Sequence, residues 1–221
     1  ISLTQLLSGH SSAEVVAEHQ PAKLAAMEGH YEESVPGDLY LFGWVNDETQ
    51  EVTGIKLPGG LSFLVHQDFD EPITGLNAFP KEDRPGQVNA VFQFYHIMIS
   101  IGMFLIGLTL YASFLWWRGT LFDKKWLLKI FAFSVLLPQI ANQVGWFAAE
   151  MGRQPWIVYG HLRTNEGFSQ EVSSNQILFS LILFLVVYTI LFLLFIYSVN
   201  KKIKHGPYDE AKNPDEFLKY V

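Results

Sequence analysis

The sequence predicts an all-α integral membrane protein, with three transmembrane helices preceded by an extracytoplasmic loop domain that holds a short helix and a small β-hairpin. Three observations carry this expectation. Apolar runs at 91–117, 126–150 and 174–200 are each long enough to cross a hydrocarbon core of roughly 30 Å at 1.5 Å per residue. Basic residues gather at their ends: Arg118, Lys124, Lys125 and Lys129 beside the first two, and Lys201, Lys202 and Lys204 after the third. Residues 1–90 are mixed and acidic, with 14 Asp and Glu against 4 Lys and Arg.

That acidic balance argues against nucleic acid as a partner, because such binding is driven by phosphate neutralisation. With no cysteine, disulfides, thiolate metal sites and thiol catalysis are excluded. The first residues lack a basic flank and a long apolar core, so no signal peptide is expected there. Ile1 reads as a point inside a longer polypeptide.

Taken in order, 11–31 reads as an amphipathic helix that Pro21 interrupts, since proline cannot donate the backbone hydrogen bond. Behind it, 22–28 favours helix and sets Lys23 and Glu28 five residues apart, about 140° round the axis. The pair reads either as two groups reaching a ligand over the helix end or as two solvated charges. Residues 39–45 and 52–57 flank the polar turn 46–51 and predict a hairpin. After Pro58-Gly59-Gly60, 61–65 is expected to be another short strand or extended piece. Residues 69–85, rich in proline, glycine and charge, form a wrapping loop. His66 and Asp68 have no converging third ligand and read as surface residues.

Trp116 and Trp117 end the first apolar run like an interfacial aromatic belt. Residues 118–125 form a basic loop, 126–150 the second span, 151–173 an outer loop, 174–200 the third span and 201–221 a tail. By the positive-inside rule, the basic loop and the tail are cytoplasmic, and 1–90 and 151–173 are outside. The expected location is a bacterial cytoplasmic membrane.

The second span carries an unusual stripe. Gln139, Gln143, Trp146 and Glu150 share one helical face, with Asn142 beside them. An ionisable group at membrane depth costs a few kcal/mol or more, so such a face needs protein cover. Three spans do not supply it, and further helices are expected from the same chain or a partner. Glu150 is open to three readings: metal ligand, proton acceptor, or half of a buried pair with Arg153. Met98 is either a haem ligand through its thioether or packing filler. His96, two residues away and on another face, is a candidate for metal or haem propionate. Trp146 is otherwise a large core residue.

Two strings go further: Gln20–Glu28 (QPAKLAAME) and Gly145–Trp156 (GWFAAEMGRQPW). Together they closely resemble subunit I of the cytochrome bd quinol oxidases, in which GWxxxExGRQPW is highly specific and the first string lies in the quinol-binding loop. The resemblance covers nearly the whole chain and about the C-terminal half of the family's subunit. It implies roles residue by residue. Lys23 and Glu28 match loop residues of quinol oxidation. Met98 matches the axial methionine of the low-spin haem b, Glu150 the carboxylate on the high-spin haem b, Trp146 the aromatic between haems, and Arg153 the turn beside them. Where some members carry arginine two residues before the methionine, this chain has His96, which takes over the propionate contacts or leaves them to another residue. The resemblance also implies haem d, with its histidine ligands upstream of this chain. The implied partners are the N-terminal part of the subunit, a second oxidase subunit, a small single-helix subunit, quinol (menaquinol or ubiquinol) and dioxygen. The implied reaction oxidises quinol outside and reduces dioxygen to water with charge separation across the membrane. Two other classes fit the bare residues: a transporter segment lined by the polar stripe, and an anchor or assembly subunit with an acidic cap.

Overall fold

The computed structural model describes residues 2–168 and 171–205, in two units that divide between Phe168 and Ser169. In the first unit, helix α1 (Ser2–His19) is followed by the short helix α2 (Pro21–Glu28). The break falls where Pro21 predicts it, with Gln20 outside helical geometry, but α1 begins nine residues before the expected start at 11. Strands β1 (Leu39–Asn46) and β2 (Glu51–Leu57) form the predicted antiparallel hairpin, pairing Val45 with Val52 and Leu39 with Leu57.

The segment expected to be a third strand is instead helix α3 (Gly60–His66). A short apolar run does not distinguish strand from buried helix. Here the turn at Gly59 delivers Leu61 and Ser62 into the interior, and Ser62 Oγ ties the loop by accepting from Gly37 N at 2.8 Å and donating to Glu71 O at 2.7 Å. The wrapping loop has two one-turn 3-10 helices, Leu76–Ala78 and Lys81–Asp83. Arg84 holds it by donating to Phe79 O at 2.8 Å and Asn77 Oδ1 at 2.7 Å.

Helix α4 (Val88–Trp117) is the first span. The second is broken into α5 (Lys125–Ser134) and α6 (Leu137–Gly152), where a single helix was expected. Pro138 lies in the first turn of α6, where its missing N–H costs nothing, and it ends continuity with α5. After α6, strands β3 (Trp156–Val158) and β4 (Leu162–Arg163) make a second small hairpin that the sequence did not announce.

Helices α4 and α6 run antiparallel along a seam of small residues. A β-carbon on Gly145 would fall 2.5 Å from Met98 Sδ, and one on Gly152 would lie 3.2 Å from both Val91 Cγ1 and Lys23 Cγ. Ala148, between them in sequence, is fully buried. Small side chains let membrane helices approach closely, and here they also admit α2 at the end of the pair. Around α2 gathers the main core: Ala22, Ala25, Ala26, Met27, Val45, Leu76, Val91, Phe92 and Ala148. A second cluster at the far end joins Leu108, Ala112 and Leu115 of α4 to Leu127 of α5.

The second unit is helix α7 (Ser174–His205), the third span, with mean hydropathy 3.0 over its most apolar window. Its described side chains are exposed throughout. The expected tail at 201–221 lies outside the described residues beyond 205.

Candidate functional site

The first turns of α4 set the frame. Asn89, Gln93 and His96 stand at positions i, i+4 and i+7, one face of the helix, and each meets the main chain of β1. Asn89 Oδ1 accepts from Val45 N at 3.2 Å, Gln93 Nε2 donates to Gly43 O at 2.7 Å, and His96 Nε2 sits 2.7 Å from Tyr40 O. The free edge of β1 is thereby satisfied by helix side chains, which fixes the hairpin against α4. The other His96 nitrogen, Nδ1, lies 2.9 Å from Phe92 O. Both ring nitrogens thus face backbone carbonyls, and His96 acts here as a clamp. The spacing of this stripe is visible at the start of the apolar run, but its partners on β1 are not.

Helix α2 is held in that frame with six of its eight residues buried. Lys23 and Glu28, read as two groups over one ligand or as two solvated charges, point into different surroundings. Lys23 packs its stem on Gly152. Burial pushes its ammonium below the ordinary lysine range, Arg153 pushes the same way, and Glu150 opposes them. Glu28 is 2 % exposed. Burial pushes its carboxyl up to about 8, with a hydrogen bond from the Tyr95 hydroxyl pulling the other way. Glu28 is thus no solvated charge, and Lys23 is half-buried.

Glu150 and Arg153 form the pair that their spacing allows. Arg153 Nε donates to Glu150 Oε2 at 2.9 Å, and its Nη2 donates to the same oxygen. Oε1 has no hydrogen bond among the described residues. Lys23 completes a cluster of two cations and one carboxylate at the end of α6. The rest of the stripe points away from α4: Gln139, Asn142, Gln143 and Trp146 are exposed. Met98 faces Gly145, about 8 Å along α6 from Glu150 at 1.5 Å per residue. The turn after α6 is braced by Arg163, whose Nη2 donates to Asp83 Oδ1 at 2.6 Å and whose guanidinium lies 4.9 Å from the Trp156 ring centre.

Three buried side-chain atoms lack a hydrogen-bond partner among the described residues: Gln20 Oε1, Glu28 Oε2 and Trp156 Nε1. All three lie in the two strings singled out above. Orphaned buried polar atoms are costly and mark places where another group belongs. The side chains also fit haem in their chemistry. A thioether and a carboxylate with one unbonded oxygen are both groups that haem iron takes as ligands. No group of three His, Asp or Glu converges among the described residues, as a side-chain-only metal site requires.

Fold and site define a multipass membrane protein in which a segment of short helices and a hairpin is clamped over the end of a helix pair, beside a charged cluster and a thioether. The chain belongs to the cytochrome bd terminal oxidase subunit I family, whose model matches residues 1–207. It is 34% identical over 210 residues to the cytochrome bd ubiquinol oxidase subunit 1 of Bacillus subtilis, covering 90% of this chain and 45% of that protein. It is 33% identical to a putative cytochrome bd menaquinol oxidase subunit I of the same organism, covering 97% and 48%. Against the cytochrome bd-II ubiquinol oxidase subunit 1 of Escherichia coli, identity is 27% and coverage 90% and 51%. Among solved structures, the bd oxidase from Geobacillus thermodenitrificans matches with a TM-score of 0.73 and 32% identity, over 93% of this chain and 47% of that one. The chain thus spans about half the length of the relatives it matches.

Proposed function

We propose that this chain supplies the quinol-oxidising face and two axial haem ligands of a cytochrome bd-type quinol:oxygen oxidoreductase. The observation that carries this reading is the set of three orphaned buried atoms, confined to the two strings by which the chain resembles that family. The remaining helices of the subunit, a second subunit and a small single-helix subunit are its partners, and they cover the exposed stripe from Gln139 to Trp146. The acidic segment and the Arg153 turn face outward, and the basic loop and the C-terminus face the cytoplasm.

Met98 would hold a low-spin haem b and Glu150 a high-spin haem b, with Trp146 beside them and Arg153 steadying the carboxylate. Haem d takes its ligand from outside this chain. Bound there, the haem irons supply the electron transfer from quinol to dioxygen. The chain's own residues do the rest. Lys23, an ammonium donor lowered by burial and by Arg153, fixes a quinol oxygen. Glu28 accepts the proton that quinol releases, from a position closed to bulk water. His96 keeps the hairpin seated on α4, through which the loop is held over both groups.

The visible spectrum of the intact purified complex tests this. Met98→Leu is expected to alter the low-spin haem b bands and Glu150→Gln the high-spin ones, each leaving the other set in place. A complex without haem absorption, or with bands indifferent to both changes, refutes the reading and returns the transporter or anchor alternatives.

A further inference from the structure

The first hairpin has one face that neither the core nor water accounts for. Val45 and Val52, paired across the strands, turn inward, where a β-carbon on Gly29 would lie 3.0 and 2.9 Å from their methyl groups. The edge of β1 is taken by α4. Alternation then puts Trp44 and Phe42 on the outer face, with Thr53 and Ile55 opposite them on β2. A hairpin with one face in the core normally turns a polar face to water. Here Trp44, Phe42 and Ile55 are exposed, as are Leu57 and Phe63 at the open end. Polarity is graded along the strands. The turn 46–51 is polar and exposed, and Asp47 Oδ1 there accepts from Asn89 N, at the start of α4, at 3.1 Å. The open end is apolar and closed by α3, where a β-carbon on Gly60 would fall 2.8 Å from Leu39 Cβ.

We propose that the outer face of this hairpin rests in the outer leaflet of the bilayer, at headgroup depth, with phospholipid as its occupant. Helix α4 supplies the ruler. Counting back roughly 30 Å from Trp116 at 1.5 Å per residue, about 20 residues, reaches His96. Strand β1 descends beside the helix: Val45 meets Asn89, Gly43 meets Gln93 and Tyr40 meets His96. Tyr40 is thereby level with the hydrocarbon boundary and the turn stands about 10 Å above it. Trp44 and Phe42 fall between, in the zone where aromatic rings collect. Below His96 on the same side of α4, Met103, Leu110 and Phe114 are exposed and continue the apolar surface into the membrane. The stripe that calls for further helices is on α6, which meets α4 through Met98 and Gly145, on the side opposite His96. Between 39 and 71 six acidic residues stand against Lys56 alone, and Lys56 is paired with Asp38 at 2.6 Å. The contact is therefore made by apolar burial and not by attraction to anionic headgroups. It depends only on α4 crossing the membrane, not on the quinol-oxidase reading.

The test uses the intact complex in phosphatidylcholine nanodiscs. Phe42→Cys and Ile55→Cys on the outer face, and Glu48→Cys in the turn as control, each carry a bimane label. Lipids bearing a nitroxide near the headgroup are expected to quench the two face labels several-fold more than the turn label. Iodide in the buffer is expected to quench the turn label and spare the face. The contrast persists at high salt and does not grow when phosphatidylglycerol is added. Face labels quenched by iodide as strongly as the turn label overturn the proposal, because the face is then in water. Face labels shielded from both quenchers also overturn it, because another helix of the subunit or a partner protein then covers the face. If the substituted chains do not assemble, a lipid-borne diazirine is activated in the wild-type complex and its adducts are mapped by mass spectrometry. Adducts within 39–57 support the proposal, and adducts on 99–114 of α4 with none within 39–57 overturn it.

Discussion

Lys23 and Glu28 share one two-turn helix and meet opposite surroundings. On the Lys23 side, α2 lies against the end of α6, where a glycine makes room for the stem and a carboxylate and a guanidinium set the potential. On the Glu28 side it lies against α4, in an apolar core that leaves Glu28 Oε2 without a partner. The difference teaches that the helix separates two jobs. One face presents a charge to whatever lies over the helix end, and the other stores a titratable group out of contact with bulk water.

Two substitutions sharpen that division. Glu28→Gln keeps shape and removes the proton acceptor. Quinol turnover in the complex is expected to fall by about a hundredfold or more, the scale of lost general-base catalysis, with KM little changed and haem bands intact. Lys23→Met keeps the stem on Gly152 and removes the charge. Its smaller effect falls on KM, which is expected to rise roughly tenfold, as for one lost charged hydrogen bond. If both variants change the same kinetic constant, the helix has one functional face and the comparison breaks.

The smallest effect is on stability. The Glu28 carboxyl ionises near 4.3 when unfolded, at about that value for free glutamate, and near 8 in the fold. Between those values the folded loop binds the extra proton. Stability is therefore highest at the acid end, declines as pH rises through the window, and is fully reduced above about 8. Proteolysis of the 68–87 loop in the complex is expected to quicken between pH 6 and pH 9, and Glu28→Gln is expected to remove that dependence.

Much of this was legible from residues alone. Long uncharged runs announced the spans, Pro21 the break before α2, and alternating strands around 46–51 the hairpin. The spacing of Glu150 and Arg153 allowed their ion pair. What failed were segments where local pattern is ambiguous: 61–65 is too short to show its period, and Pro138 stands inside an apolar run long enough to read as one helix. The β3–β4 hairpin has strands too short to leave a signal.

By itself, then, the chain determined where it enters and leaves the apolar phase, which follows from transfer free energy, a property of neighbours in sequence. The two strings stood out by their resemblance to a family. Only the tertiary structure decided that Glu28 is enclosed while Lys23 lies by Arg153, and that His96 meets a strand residue 56 positions away. Desolvation and hydrogen-bond partnership are set by atoms brought together from distant parts of the chain, and no periodicity encodes them.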